Sequence, residues 1–505
     1  MNHKIIIKIF GGAVLVSTFF YLACNKKALN IPPPTQSESS FFTSESEFRT
    51  AVIGAYAKLT DLYSSANPGS GGSAMLEVWF LPGDDLSQNR GLNLEIFKGL
   101  DPSNGKLNQF FKSTYGLIGR ANKVLEKIDN AEPGIFTTPN MDKYMEGEML
   151  FLRAFAHFML WNVFGTAPVD TIVVKSTAQF NLPSSTGNEL LSQSVSDLTR
   201  AAGLLPASWD NVNKGRVTIN SAYALLGKVL TYRASAAKSA TDYQAAIAAI
   251  DKISGAGLMA DFGENFEINF ENNIESLFEF QAGKNISGFQ NTWLANDDCD
   301  CGGAGAYYQM FYDGAASYMS DGPYFTTAKL RNIFDVDDPR LPLTLSVDKT
   351  RIIKYIVNGD VVEVNTSLNN HRILRYSDVL LLKAEAVLQS GGSTSTAIGL
   401  INQVRTRARN MVPAGTSPAD LSTAETNKTT IMQWIMDERL RELAAEGHRW
   451  FDIRRWHMAG YITLNNTFFS SEVPGDMGFD PHFLLFPIPD GETSKNPNII
   501  QNPGY

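Results

Sequence analysis

Cysteine, histidine and long hydrophobic runs are all scarce in this 505-residue chain, and each shortage excludes a class of protein. Three cysteines are too few for the disulfide framework of a small secreted domain. Six scattered histidines match no zinc motif. The 43 basic residues are outnumbered by 52 acidic ones, and the net charge of -9 gives no field that would attract nucleic acid. What remains is the composition of an ordinary globular protein with a large core.

The one sustained apolar run is residues 9–23, and two lysines precede it. It is too short for a membrane-spanning helix and has the form of an export signal. The run ends directly before Cys24, and a polar, proline-bearing stretch follows. This arrangement resembles a bacterial lipoprotein signal, which implies that Cys24 is lipidated; the alternative is an ordinary secretory signal beside an incidental cysteine. We expect residues 1–23 to be the signal peptide and residues 24–43 to be a lipidated tether.

Cys299 and Cys301 are the remaining cysteines, and they lie in an acidic, glycine-rich stretch. A bridge between cysteines two apart is strained in most backbones, although a tight glycine-rich turn can hold one. The neighbouring aspartates match neither a zinc motif nor the calcium loop of an EF-hand. We therefore predict a polar loop, and the sequence does not decide whether Cys299 and Cys301 form a disulfide. We predict neither a catalytic metal nor a cofactor.

Helical periodicity dominates most of the chain. Ser44 and Glu47 form a capping-box pattern at the start of the first helix. The further segments with an apolar stripe at helical spacing are residues 107–132, 145–163, 222–250 and 376–408. Each of the last two holds a pair of helices whose first apolar positions are 21 residues apart. Such pairs are typical of tetratricopeptide-type units, which bury their apolar sides by stacking.

Residues 255–370 differ in character, with many glycine, aspartate, asparagine and aromatic residues and short strand-like runs such as SLFEF and RIIKYIV. Long loops on a rigid scaffold commonly carry binding sites. We therefore predict a mainly α fold in which tetratricopeptide-like helix pairs form a scaffold and a loop-rich region with short strands carries the binding site. The expected body is residues 44–505, with helical parts at about 44–254 and 371–505.

Four segments together resemble the SusD/RagB family of outer-membrane nutrient-binding lipoproteins. They are EMLFLRAFAHFMLWNVFGTAPV at 148–169, LRYSDVLLLKAEAVLQ at 374–389 running into INQVRTRA at 401–408, DERLRELAAEGHRWFDIRRW at 437–456, and FPIPDGETSKNPNIIQNPGY at 486–505. The resemblance spans essentially the whole mature chain. It implies a mainly helical protein that is lipid-anchored at the cell surface, caps a SusC-type TonB-dependent transporter, binds glycans or in some cases peptides, and performs no chemistry.

The charge-dense segment from Asp437 to Arg455 also allows an enzymatic interpretation. Glu438 and Glu442 lie one helical turn apart, as the paired carboxylates of a glycoside hydrolase would. Each carboxylate, however, has an arginine within helical reach, which disfavours the raised pKa of a general acid. We expect an ion-pair network that fastens helices, and a protein that is not an enzyme.

Two segments combine tryptophan with polar residues, which is the mixture that sugar binding requires. The apolar face of a sugar ring stacks on an aromatic side chain while polar neighbours bond its hydroxyls. Core packing is the alternative for each tryptophan. The predicted ligand-binding residues are Trp79, Asp84, Asn89 and Arg90 in the first segment and Trp293, Asp297, Tyr307 and Tyr308 in the second.

Together with the family resemblance, these features predict a lipid-anchored, surface-exposed glycan-binding protein of the outer membrane. It would capture oligo- or polysaccharide and deliver it to a SusC-like TonB-dependent transporter. Two alternatives stay open, a secreted helical glycoside hydrolase and a tetratricopeptide-like scaffold that binds peptides. Sugar release distinguishes the first, and a glycan array beside a peptide library distinguishes the second.

Overall fold

The computed structural model of the protein describes residues 41–63, 74–88, 93–282, 324–355, 361–363, 366–367, 369–469 and 477–505. In chain order the α-helices are α1 (Glu45–Ala57), α2 (Thr60–Tyr63), α3 (Ala74–Phe80), α4 (Asn93–Ile96), α5 (Gly105–Asp129), α6 (Met141–Val163), α7 (Thr177–Phe180), α8 (Glu189–Ala202), α9 (Ile219–Ala237), α10 (Ala240–Ile250), α11 (Ala328–Ile333), α12 (Leu341–Thr344), α13 (Tyr376–Gln389), α14 (Thr394–Asn410), α15 (Lys428–Leu443), α16 (Arg449–Ala459), α17 (Asn466–Phe469) and α18 (Asp490–Thr493). The 3-10 helices are Gly263–Phe266, Ile268–Phe270 and Pro481–Leu484. The strands are β1 (Leu86–Ser87), β2 (Ser276–Phe280), β3 (Phe325–Thr326), β4 (Val361–Glu363), β5 (Thr366–Ser367) and β6 (His371–Arg375).

The long helices pack in the order in which they follow one another along the chain. Helix α5 packs on α6, α6 on α8, α8 on α9 and α9 on α10; α10 then packs on α13, which contacts both α14 and α15. Every residue of α6 from Gly147 to Val163 is buried, so this helix forms the centre of the stack. None of the helices described is both long and apolar enough to cross a membrane.

Small residues let the paired helices approach closely. Gly227 of α9 faces Ile250 of α10, and a Cβ atom at Gly227 would lie well inside van der Waals contact with the Ile250 side chain. The turn between the two helices uses Lys238 in the left-handed conformation, and Ser239 caps α10 by accepting a hydrogen bond from the Asp242 amide at 3.2 Å. The predicted helix pairs and the mainly α fold are confirmed.

The start of the first helix follows the predicted pattern with one addition. Ser44 is the N-cap of α1 and accepts a hydrogen bond from the Glu47 amide. The Glu47 carboxylate also accepts from the amide and hydroxyl of Thr43, at 2.7 and 2.9 Å. The acidic side chain still satisfies a free amide at the positive end of the helix.

Of the two strand-like runs named in the loop-rich region, only SLFEF forms a strand among the described residues. SLFEF is strand β2, which pairs antiparallel with β6. RIIKYIV is not a strand in its described part, where Ile352 makes only an isolated bridge to Leu345. Lys354 turns inward instead, because its ammonium group donates to the Glu442 and Ala444 carbonyls at 2.8 and 3.1 Å.

Candidate functional site

The two segments with the predicted binding residues are joined by an antiparallel ribbon of strands β1 and β3. Ser87 of β1 lies opposite Phe325 of β3. Gln88, which follows Ser87, and Tyr324, which precedes Phe325, therefore lie at the same end of the ribbon. Gln88 leads directly toward the rest of the first segment, and Tyr324 is the first described residue after the second. The ribbon thus places Gln88, the residue before Asn89, next to the first described residue after the second segment.

Asp84 anchors this ribbon from the inside. Its carboxylate accepts a hydrogen bond from Arg449 Nη2 at 2.9 Å and also pairs with Lys329. Its backbone carbonyl accepts from the Thr327 hydroxyl at 2.8 Å. Burial opposes ionisation, but the charges of Arg449 and Lys329 outweigh it and hold the pKa of Asp84 well below its usual range. Asp84 therefore forms ion pairs that fix the ribbon to α16 and α11, an arrangement that argues against its predicted ligand-binding role.

Trp79 lies in the core and not in a loop. It belongs to α3, is 2% exposed, and its ring centroid lies 5.0 Å from that of Tyr63 and 6.3 Å from that of Phe451. A ring enclosed in this way favours the alternative of core packing over the predicted stacking role of Trp79. The glycine- and aspartate-rich run that suggested a loop begins only at Gly83, after the helix has ended.

The other predicted binding residues, Asn89, Arg90, Trp293, Asp297, Tyr307 and Tyr308, lie outside the described residues, as do Cys24, Cys299 and Cys301. Their roles stay predictions. The described residues define where the second segment is attached. Ala282 at its start donates its amide to Asn370 Oδ1 at 2.7 Å, and Tyr324 at its end is fully buried with its ring 6.0 Å from Phe80.

Two buried side chains that flank strand β1 have polar atoms with no hydrogen-bond partner among the described residues. Asp85 is 1% exposed, its Oδ1 accepts no hydrogen bond, and burial together with the charge of Asp84 raises its pKa to about 7. Both amide atoms of Gln88, which is 3% exposed, are also unpartnered. Buried polar groups are normally satisfied, and exceptions concentrate where a protein has a functional reason to keep them. In the ranges that the structure covers, no group of three or more histidine, cysteine or acidic side chains is placed to hold a metal ion.

The carboxylates of α15 form an ion-pair network, as predicted. Glu438 and Glu442 are fully buried, and Arg340 Nη1 bonds both of them, at 2.7 and 3.0 Å. Glu442 also accepts from Arg375 at 3.1 Å and pairs with Arg407. Burial favours the neutral acid, but these guanidinium groups prevail and hold the pKa of Glu442 well below its usual range. This carboxylate stays ionised and does not act as a proton donor.

The network continues into the turn after α15. Glu446 is buried and accepts from Arg375 Nη2 and from Lys354 Nζ, at 2.7 and 2.6 Å. Despite burial, these two cations lower the pKa of Glu446 to about 2. The predicted network is therefore present, and its members face one another across the core and not an open cleft.

A separate buried cluster lies beside α16. Asp452 pairs with Arg439 at 2.8 Å and with Arg455 at 2.9 Å. Arg455 in turn reaches Glu385 of α13, whose other contact is the indole nitrogen of Trp456 at 3.1 Å. This cluster fastens α16 to α13 and α15.

Cavities in the described part of the molecule differ greatly in size. One between Trp79, Lys228 and His448 has a volume of about 30 Å³, which is room for a single water molecule. A surface cavity of about 220 Å³ lies beside Trp209, whose ring is covered by the Arg216 guanidinium at 4.2 Å. A larger surface cavity of about 420 Å³ lies between α5 and the C-terminal segment.

The comparisons with known proteins agree with this fold. One profile, described as the SusD family, matches residues 307–505, and another, described as starch-binding associating with outer membrane, matches residues 35–230. SusD-like protein P2 of Formosa agariphila is 26% identical over 498 residues, covering 92% of this chain and 94% of that protein. The chain belongs to the SusD/RagB family.

Solved structures of SusD-like proteins have the same architecture. A SusD homolog from Bacteroides thetaiotaomicron superposes with a TM-score of 0.73 at 21% identity, covering 93% of this chain and 99% of that one. A laminarin binding SusD-like protein gives a TM-score of 0.71 at 22% identity, covering 92% and 100%. The family resemblance read from the four sequence segments is thus confirmed.

Proposed function

We propose that this protein binds carbohydrate at the surface of the outer membrane through the segments that meet at the β1–β3 ribbon. The observation that carries the proposal is the register of the ribbon, which places Gln88 and Tyr324 side by side. Gln88, whose two side-chain amide atoms have no hydrogen-bond partner among the described residues, lies at this end of the ribbon. The residues proposed to contact the ligand are Asn89, Arg90, Trp293, Asp297, Tyr307 and Tyr308.

A neutral glucan is the class of ligand that we favour. One structural neighbour is described as laminarin binding, and one matching profile is described as starch-binding. The chain itself carries a net charge of -9, which disfavours polyanionic glycans through long-range repulsion. Neutral sugars are recognised by stacking on aromatic rings and by hydrogen bonds from polar neighbours, and the proposed residues supply both.

The protein is proposed to bind its ligand without chemistry. The carboxylates that suggested a glycosidase, Glu438 and Glu442, are each bonded to buried guanidinium groups. An inverting or retaining glycosidase needs one carboxyl group with a raised pKa beside the scissile bond. The buried guanidinium groups around α15 oppose a raised pKa for these carboxyl groups.

Titration calorimetry with laminarin and soluble starch tests the binding site. Trp293→Ala is expected to weaken binding by about 1–3 kcal/mol through the loss of a stacking surface, with little change in melting temperature. Trp293→Phe keeps an aromatic ring and serves as the matched control, with most of the affinity retained. Unchanged affinity in a folded Trp293→Ala protein would place the site elsewhere. Binding to a peptide library with no binding to any glycan would favour the scaffold alternative.

Lipidation at Cys24 and delivery to a SusC-like TonB-dependent transporter complete the proposal. The description of the matching profile supports outer-membrane association. Cys24→Ser is expected to release the protein from membranes of cells that lack the transporter, while glycan affinity is kept. Sedimentation of that variant with the outer membrane would contradict the lipid assignment. Affinity purification from native membranes that never recovers a TonB-dependent protein would contradict the partner.

A further inference from the structure

The cavity of about 420 Å³ at the surface is built from elements other than the β1–β3 ribbon. Its walls come from α5, from the loop that follows α6, from α7 and from the C-terminal segment around α18. Its volume falls within the range of about 300–1,000 Å³ that small-molecule sites occupy. Asn496 holds two of these walls together, because its side-chain amide donates to the Leu182 carbonyl at 2.7 Å.

An exposed aromatic ring stands at the rim of this cavity. Phe180, the last residue of α7, is 51% exposed. No other tyrosine, tryptophan or phenylalanine residue in the described ranges is as exposed to solvent. Tyr115 on the opposite wall is fixed by donating its hydroxyl to the Pro168 carbonyl at 2.6 Å. An exposed ring beside a fixed ring gives the cavity an apolar surface on which a flat ligand can stack.

Two carboxylates and two ammonium groups also line the cavity, so their formal charges balance. Asp170 accepts from Asn122 Nδ2 and from the Ile172 amide through Oδ1, both at 3.2 Å, and no hydrogen bond to its Oδ2 is made by the described residues. Glu492 lies 3.6 Å from Lys495, and Lys112 supplies the second positive charge. Tyr115, Asp170 and Glu492 line the same cavity, and burial together with the charges of the two carboxylates raises the pKa of Tyr115.

Aromatic rings and balanced charges in one cavity point to a neutral ligand with many hydroxyl groups. A cavity whose charges cancel gives no net attraction to an anion or a cation. Carboxylates accept hydrogen bonds from hydroxyls, an ammonium group donates to them, and an aromatic ring covers the apolar face of a pyranose. We propose that this cavity is a second carbohydrate subsite, in which Phe180 stacks on a neutral sugar ring while Asp170 and Glu492 accept hydrogen bonds from its hydroxyls. The proposal rests on the proposed carbohydrate-binding function but uses different residues.

Titration of the full chain with short oligosaccharides of laminarin and of starch, which cannot bridge distant sites, tests the subsite. The expected result is two binding events in the unmodified protein. Phe180→Ala is expected to weaken one event about tenfold, since an exposed side chain contributes little to folding. Phe180→Trp keeps a stacking surface and should retain both events, and Val347→Ala, at a fully exposed position, controls for the loss of an apolar side chain.

The variants separate failure of this subsite from failure of the proposed function. If Trp293→Ala abolishes binding and Phe180→Ala changes nothing, the second subsite is overturned and the ribbon site stands. If Phe180→Ala removes binding while Trp293→Ala does not, the subsite stands and the ribbon site fails. If the unmodified protein binds no glycan on an array, both proposals are contradicted. Glu492→Ala, which removes the acceptor, should reproduce the loss seen with Phe180→Ala; unchanged affinity in that variant would contradict the assigned hydrogen bond.

Discussion

At the scale of single residues, burial indicates a core role for Trp79, which the sequence presents in the same way as Trp293. Trp79 and Trp293 both precede a run rich in aspartate. Trp79 is enclosed by Tyr63 and Phe451, so its indole contributes to the core. Its indole nitrogen also lacks a hydrogen-bond partner, which makes the site less stable than the packed area alone suggests.

Replacement of Trp79 is therefore expected to affect folding and not ligand binding. Trp79→Ala should lower the free energy of unfolding by about 3–5 kcal/mol, as large-to-small changes in a core do. Denaturant unfolding measures this change, and calorimetry on the folded protein should show unchanged glycan affinity. A stable variant with weakened affinity would restore the stacking role that the core position argues against.

Asp85 couples stability to pH in the neutral range. Its pKa is about 7 in the folded protein against an ordinary value of 3.8, because burial and Asp84 disfavour the charged form. The folded protein keeps a proton that the unfolded chain releases, so the contribution of Asp85 to stability is fully present below about pH 4 and is lost as the pH rises through 7.

Asp85→Asn removes this titration while preserving the shape of the side chain. The variant should match the unmodified protein near pH 4 and exceed it at pH 8 by about 4 kcal/mol, since the pKa is raised by about three units and one unit corresponds to about 1.4 kcal/mol. Thermal melts across that pH range provide the measurement. An advantage of the variant that does not grow with pH would show that Asp85 ionises normally.

At the scale of the helices, close packing depends on where glycine stands. Gly227 of α9 lies against Ile250, whereas the exposed Gly119 of α5 has open space where a Cβ would be. Gly119→Ala should stabilise the protein by about 0.5–1 kcal/mol through helix propensity. Gly227→Ala should destabilise it by about 1–2 kcal/mol, because crowding of the buried Ile250 outweighs the same gain. Chemical denaturation should therefore show changes in the free energy of unfolding of opposite sign for the two variants. Equal stabilisation by both would mean that α9 and α10 separate easily.

The long helices could be predicted from sequence because their apolar residues repeat at 3.6-residue spacing over several turns. Helix α13 lies within its predicted stripe, and α9 begins three residues before the first apolar position of its own. Short elements carry too few repeats for this signal. The run at Lys354 looked like a strand, but a buried ammonium group bonded to Glu446 determines its path.

The candidate sites were predictable only in part, for a different reason. Local composition identified the segments that meet at the β1–β3 ribbon. It did not identify that Asp84 pairs with Arg449, which lies 365 residues away in sequence. Phe180 gave no signal at all, because exposure of a single ring depends on the packing of α5 and the C-terminal segment around it.

At the scale of the whole molecule, buried ion pairs join parts that are distant in the chain. Glu442 of α15 contacts Arg340 before α12, Arg375 at the end of β6 and Arg407 of α14. The C-terminal helices are thereby tied to the region between α10 and α13 that supports the ribbon. Breaking a buried pair leaves an uncompensated charge, which costs more than the intact pair contributes.

Glu442→Gln is accordingly expected to lower the free energy of unfolding by about 3–5 kcal/mol, because three buried guanidinium groups lose a shared anion. Asp437→Asn on the exposed face of the same helix is the matched control and should change stability by less than about 0.5 kcal/mol. Glycan affinity in the folded fraction should be equal for both variants. A glycosidase predicts the reverse, since Glu442→Gln would then keep its fold and its substrate affinity but lose turnover. Sugar release by the unmodified protein that disappears in a well-folded Glu442→Gln variant would therefore contradict a purely binding role.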